Sequence, residues 1–295
     1  MPSVSVFLTP QIIAQVVVSG ILAGGLYAMI ALGLALIFGV MRVINVAHGT
    51  LLMLGAYTTF WLFHLYGVSP FLSLLISIPV LFLVGVLLQR LFVDKVVDAP
   101  ELSSLLLTFG LSIAIANLAQ YVWTADYRSV EYLTTSVRFA GLAFSAARMV
   151  SFGLALLISL LAFCILKYTK IGKAIRATSQ SREVALVCGI DVSRIHLITF
   201  GMGAALAAAG GSLVSVMFSI FPEMGDTYLV RSFVVIVLGG AGNYPGAFLG
   251  GIILGLTENL AALFLSAQVA PAVSYALMVL VLLLCPQGLF KGRAR

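Results

Sequence analysis

Apolar residues dominate eight stretches of the chain, at 12–40, 46–66, 70–92, 102–123, 147–167, 194–220, 245–266 and 269–285. A helix needs about 20 residues to cross a hydrocarbon core of about 30 Å. The run 12–40 is too long for one upright helix and predicts either one tilted helix or a helix followed by a short second piece. A shorter run, Leu229–Leu238, is half a span and ends in Gly239-Gly240-Ala241-Gly242-Asn243-Tyr244-Pro245-Gly246. The pattern predicts eight to ten membrane segments, some short or broken. No hydrophilic stretch is long enough for a soluble core of its own. The expected fold is all-α: a polytopic membrane helix bundle forming one domain over 1–295.

Composition removes the soluble alternative. Only 9% of residues are charged and 62% are hydrophobic, against about 25% charged in an ordinary soluble domain. The outer surface must therefore meet lipid. The net charge of +6 does not argue for nucleic acid, because the basic residues sit in short loops between apolar runs, where they encode orientation. Cys164, Cys188 and Cys285 lack metal-ligand spacing and read as small packing residues. Residues 1–11 hold no Lys or Arg, so the first run reads as a permanent anchor rather than a cleaved leader.

Lys167, Lys170, Lys173, Arg176, Arg182 and Arg194 face only Glu183 and Asp191 within 167–194. That loop, and the C-terminal Lys291, Arg293 and Arg295, are expected in the cytoplasm. Residues 124–147 and 221–230 then lie outside, and the side of the N-terminus stays open. Small residues recur every four positions, as in Gly20, Gly24 and Ala28, or Gly251 and Gly255. In lipid such spacing allows close backbone approach, so a tight bundle is expected.

Four features carry candidate function. In the loop 168–193, residues 181–190 read as a short helix, with Glu183 favouring its N-terminal dipole. Ala185 and Gly189 are placed on one small, smooth face suited to docking on another protein. Arg42, Asn45 and His48 fall at three-residue spacing, as on one helical face, and polar groups there must meet protein, water or a pore. No second metal ligand lies near His48, so no metal is expected. Glu258 and Asn259 lie inside an apolar run, where an ionisable side chain marks either a transport path or a buried pair with Arg231. Asn117 is a weaker polar residue of the same kind. The broken stretch at 239–246 is expected to be buried in protein or to line a cavity. No catalytic residues and no cofactor are expected. No G-x-x-x-x-G-K-[ST] is present, so the chain is not expected to hold ATP in a P-loop of its own.

Several blocks resemble one family. Gly33-Leu34-Ala35-Leu36-Ile37-Phe38-Gly39-Val40 followed by Arg42-Val43-Ile44-Asn45-Val46-Ala47-His48-Gly49-Thr50 is similar to the amino-terminal signature of branched-chain amino-acid ABC transporter permeases of the LivH type. So are Gly172-Lys173-Ala174-Ile175-Arg176-Ala177 with Gly189-Ile190, and Val237-Leu238-Gly239-Gly240-Ala241-Gly242-Asn243. Permeases for urea, short amides and aromatic acids look alike, so the solute is less defined than the family. The resemblance implies an importer in the bacterial inner membrane with a second homologous permease, two ATP-binding-cassette ATPases and an extracytoplasmic solute-binding protein. It also implies that Glu183, Ala185 and Gly189, with Gly172, Lys173 and Arg176, form the ATPase-coupling loop. Val184 departs from the usual second Ala, and the downstream Leu-Pro is missing. As polar groups within or between apolar runs, Asn45, His48, Asn117, Glu258 and Asn259 are the candidates for the translocation path. A rival reading is a self-sufficient ion-coupled carrier or channel using Glu258.

Overall fold

The computed structural model describes residues 9–139, 142–240, 242–285 and 288–290. The elements in order are α1 (Pro10–Met41), α2 (His48–Tyr66), α3 (Leu74–Leu91), α4 (Glu101–Trp123), β1 (Ser136–Phe139), β2 (Leu142–Ser145), α5 (Ala146–Tyr168), α6 (Lys170–Gln180), α7 (Arg182–Val187), α8 (Val192–Val214), α9 (Met224–Gly239), α10 (Tyr244–Phe264) and α11 (Ala270–Leu284). Six helices are long and apolar enough to cross a membrane: α1, α3 with its extension to Lys95, α4, α5, α8 and α10. α2, α9 and α11 are shorter or less apolar. They bring the bundle to nine segments among the described residues, within the expected range. The chain is a polytopic helical membrane protein.

Helices α1 and α8 form the centre, with 78% and 83% of their apolar spans buried, whereas α4 keeps only 22% covered. Large side chains of α1 such as Ile30 and Ile37 pack onto glycines of α8, and on the other side the backbones of α1 and α10 approach closely. A methyl group on Gly24 of α1 would sit 2.7 Å from the Gly251 carbonyl oxygen of α10. The expected small-residue packing is therefore the α1–α10 interface. In lipid this packing replaces the hydrophobic drive that water supplies in soluble bundles.

Several boundaries differ from the sequence expectation. The run 12–40 is one helix of 32 residues. The half-length run at 229–238 belongs to the 16-residue α9, which starts earlier, at Met224. Helix α8 stops at Val214, short of the apolar run that continues to 220. The 168–193 loop holds two helices, α6 and α7, where only the second was expected. Arg42, Asn45 and His48 do not share a helical face. Arg42 ends α1 in a left-handed conformation, and the chain is non-helical until His48. Cys188 and Cys285 are exposed rather than packed inside. Lys291, Arg293, Arg295 and Ala241 lie outside the described residues.

One end of the bundle gathers Arg42, Glu101, Gln180, Arg182, Glu183 and His196 around a polar cavity of about 470 Å³. The opposite end carries the β1–β2 hairpin, where Gln15 donates to the Ala143 carbonyl at 3.1 Å. There Arg128 and Ile220 exchange backbone hydrogen bonds of 2.9 and 2.7 Å. The two ends of α1 thus lie at opposite ends of the bundle.

Candidate functional site

Three places hold the residues that the sequence singled out. The first is a buried polar cluster on α1, α9, α10 and α11. Glu258 is 6% exposed. Arg231 Nε donates to its Oε1 at 2.9 Å, the Tyr27 hydroxyl to its Oε2 at 3.0 Å, and the Ser274 hydroxyl to Oε1 at 3.1 Å. The pair with Arg231 foreseen from sequence is present. The Arg231 guanidinium carbon also lies 5.0 Å from the Tyr27 ring centroid and 5.3 Å from that of Tyr228, two tilted rings whose centroids are 6.5 Å apart. A buried carboxylate with three donors and an opposite charge is compensated, as an intramembrane charge must be. Sequence reasoning missed Tyr27, Tyr228 and Ser274, because nothing local ties them to a carboxylate 231 residues from Tyr27.

Asn259, next to Glu258, donates its amide to the Gly255 carbonyl at 2.9 Å. Its side-chain oxygen makes no hydrogen bond to the described residues. Glu258 and Asn259 line one cavity of about 200 Å³ with Tyr27, Arg148 and Arg231. Ala267, Ala270 and Pro271 border the same cavity, which sets it toward the hairpin end.

The second place is the break between α1 and α2. His48 Nε2 lies 3.0 Å from the Ile30 carbonyl, well before the end of α1. Residues 42–47 therefore run back along α1, and α2 begins inside the bundle. Thr108 of α4 fixes this segment: its hydroxyl donates to the Ile44 carbonyl at 2.8 Å and accepts from the Val46 amide at 3.1 Å. Asn45 is fully buried, and neither its amide nitrogen nor its oxygen has a partner among the described residues. Irregular backbone of this kind persists at membrane depth only inside protein or beside a cavity. Asn117 stands apart, on the exposed side of α4, where it donates to the Ile113 carbonyl of its own helix at 2.8 Å. The structure thus brings Glu258 and Asn259 together but leaves Asn117 alone. No group of three or more potential metal ligands occurs among the described residues.

The third place is the loop at the other end. Thr169 caps α6 by accepting from the Gly172 amide at 3.0 Å. Gly172 packs against the α5 backbone where no larger residue fits, and the Arg176 guanidinium donates to the Leu166 carbonyl. Together these contacts fix a sharp corner between α5 and α6. Ser181 caps α7, accepting from the Val184 amide at 3.3 Å, and Gly189 turns the chain with φ +77. Glu183 lies in the first turn of α7 and Lys173 on the outer side of α6, both exposed. Ala185 and Gly189 do not form one outward face. Ala185 is 2% exposed and packs on the chain itself. A six-residue helix has one inner side, and Ala185 occupies it. The outward side is apolar, with Val187 89% exposed and Val184 and Leu186 over half exposed. Arg182 pairs with Asp98, tying this loop to the α3–α4 connection. That hydrogen bond holds the Asp98 carboxyl below the usual carboxylate range.

Residues 16–285 match the family described as branched-chain amino acid transport system / permease component. The LivH permease of the high-affinity branched-chain amino acid transport system of Salmonella typhimurium is 30% identical over 290 residues, covering 93% of this chain and 94% of that one. The BraD permease of the corresponding system in Pseudomonas aeruginosa is 28% identical with the same coverage. A ribose import permease of Haemophilus influenzae is 29% identical over 42% of this chain. No solved structure matches.

Proposed function

Because the chain belongs to the family of branched-chain amino acid transport permease components, we propose that it is one permease subunit of an ATP-binding-cassette importer for branched-chain amino acids. Its partners are a second homologous permease, two ATPase subunits and an extracytoplasmic binding protein. The loop of α6 and α7 receives the ATPases. The observation that carries this reading is the exposed apolar side of α7, formed by Val184, Leu186 and Val187. That patch stands on a loop capped by Thr169 and Ser181 and pinned to Asp98. An apolar patch ringed by charge, at a loop rather than at lipid depth, fits a protein partner.

The excess of basic residues in 167–194 sets that end in the cytoplasm. The hairpin end, with the N-terminus of α1, then faces the binding protein. ATP-driven movement of the ATPases pushes on α7, and the bundle rocks to alternate access. Glu258, Asn259, Asn45 and His48 lie on the translocation path in this reading, while Asn117 faces outward from α4. An ion-coupled carrier using Glu258 is disfavoured, because three protein donors already occupy that carboxylate.

Coexpression with the ATPases tests the assignment. Glu183→Arg and Gly189→Trp are expected to abolish ATPase copurification or substrate-stimulated ATP hydrolysis. Normal coupling in both variants rejects the docking role of the loop.

A further inference from the structure

The cavity beside Arg231 has a feature that a plain structural ion pair does not need. Only the Nε edge of the guanidinium is engaged by Glu258. The two terminal nitrogens have no acceptor among the described residues, and the residue lines the cavity. The Tyr27 and Tyr228 rings lie beside the guanidinium, 5.0 and 5.3 Å from its carbon, and with the Glu258 bond to Nε they restrict how its free fork can turn. A guanidinium fork matches a carboxylate through two parallel hydrogen bonds. Asn259 contributes a side-chain oxygen that has no donor among the described residues, while one hydrogen of its amide is held by the Gly255 carbonyl. That oxygen accepts and does not donate, which suits an ammonium group. Leu22, Leu26 and Phe218 form apolar walls around these groups.

We propose that this cavity is a receiving station for an α-amino acid with an apolar side chain. Its carboxylate sits on the terminal nitrogens of Arg231, and its ammonium on the side-chain oxygen of Asn259. Glu258 is a positioning residue: with three donors of its own, it fixes the guanidinium rather than touching the ligand. The charges of Arg231 and Glu258 cancel, and Arg148 leaves the site singly positive. That balance favours the carboxylate end of a zwitterion. The station lies toward the hairpin end, where a solute handed over from outside would arrive. This proposal rests on the importer reading above.

The test is binding of radiolabelled L-leucine to the purified assembly of permeases and ATPases, with two competitors. One, 4-methylpentanoate, lacks the ammonium; the other, 3-methylbutylamine, lacks the carboxylate. In the unmodified assembly the acid is expected to compete and the amine to fail. Arg231→Lys is expected to weaken leucine binding at least tenfold, because an ammonium cannot form the fork. Asn259→Ala is expected to weaken leucine several-fold while leaving the acid unchanged, which a merely unfolded site would not do. The proposal is overturned if the unmodified assembly binds no leucine, if the amine competes as well as the acid, or if Asn259→Ala weakens leucine and the acid equally. ATP-driven leucine uptake measured on the same assembly separates the two claims. Uptake that persists without this binding pattern sinks the station and leaves the importer reading intact.

Discussion

Arg231 on α9 and Glu258 on α10 meet at 2.9 Å in the interior of the bundle, with side chains 17% and 8% exposed. The pair joins two helices whose remaining contacts are mostly small and apolar. Removing one member leaves a charge without its partner in a poorly hydrated place, a loss of roughly 3–5 kcal/mol. Glu258→Ala is therefore expected to lower the detergent-solubilised melting temperature markedly. The double change Glu258→Leu with Arg231→Met is expected to recover a substantial part of it. Melting temperatures followed by size-exclusion fluorescence check this. A double variant less stable than Glu258→Ala would show that the pair itself contributes net stability.

The α1–α10 contact gives a second, sharper contrast. Gly24 has the Gly251 carbonyl at 2.7 Å from where a Cβ would stand, whereas Gly110 of α4 has nothing within 4 Å. Gly24→Val is expected to wedge the helices apart, at about 1–3 kcal/mol or more, and to reduce the yield of folded protein. Gly110→Ala is expected to leave the yield unchanged, even though both glycines lie in apolar helices. Expression and monodispersity of the two variants in parallel decide the matter.

These two sites also show what the sequence reveals and what it hides. The run lengths disclose the spans, because bilayer thickness sets them. The glycine spacing marks the tight interface, because small residues serve close approach wherever helices meet in lipid. An intramembrane carboxylate requires a cation, and that requirement points from Glu258 to Arg231. Tyr27, by contrast, carries no local mark, and only the antiparallel run of α1 against α10 brings it to Glu258. The three-residue spacing of Arg42, Asn45 and His48 suggests one helical face. Spacing alone does not reveal that Arg42 adopts a left-handed conformation and that the chain doubles back. The four-residue spacing of Ala185 and Gly189 suggests one small outward face. Small residues serve inner packing equally well, and the choice depends on what lies beneath the helix.

The Arg182–Asp98 pair predicts a pH dependence with a definite sign. Its hydrogen bond lowers the carboxyl pKa of Asp98 in the folded protein. A depressed carboxylate pKa stabilises the folded state above the unfolded value of about 4 and loses that contribution as pH falls through the lower, folded value. The tie between α7 and the α3–α4 connection is thus expected to be intact at neutral pH and to loosen only in strong acid. Both side chains are largely exposed, so the effect belongs to the loop rather than to global stability. Amide exchange over 182–187 is the measurement. Asp98→Asn is expected to raise exchange there at neutral pH, and equal exchange in the two proteins would show that the pair does not hold the loop.

The two sides of α7 predict opposite kinds of failure. Val187 is 89% exposed while Ala185 is 2% exposed, although the two are only two positions apart. Val187→Asp changes a side chain that is almost wholly exposed, so the melting temperature of the permease alone is expected to stay the same. It places a charge in the middle of the apolar patch, where a docked ATPase would have to desolvate it. Copurification of the ATPase is then expected to fall tenfold or more, a loss of about 1.4 kcal/mol or greater in binding. Ala185→Leu does the reverse: it overfills the space under α7 and lowers the stability of the permease itself, by about 1–3 kcal/mol. Any loss of docking in that variant follows from the displaced helix. If Val187→Asp binds the ATPases normally while Ala185→Leu melts normally, the inner and outer sides of α7 have been assigned the wrong way round. A stable Val187→Asp protein that no longer retains its ATPases is the result that separates the docking surface from its foundation.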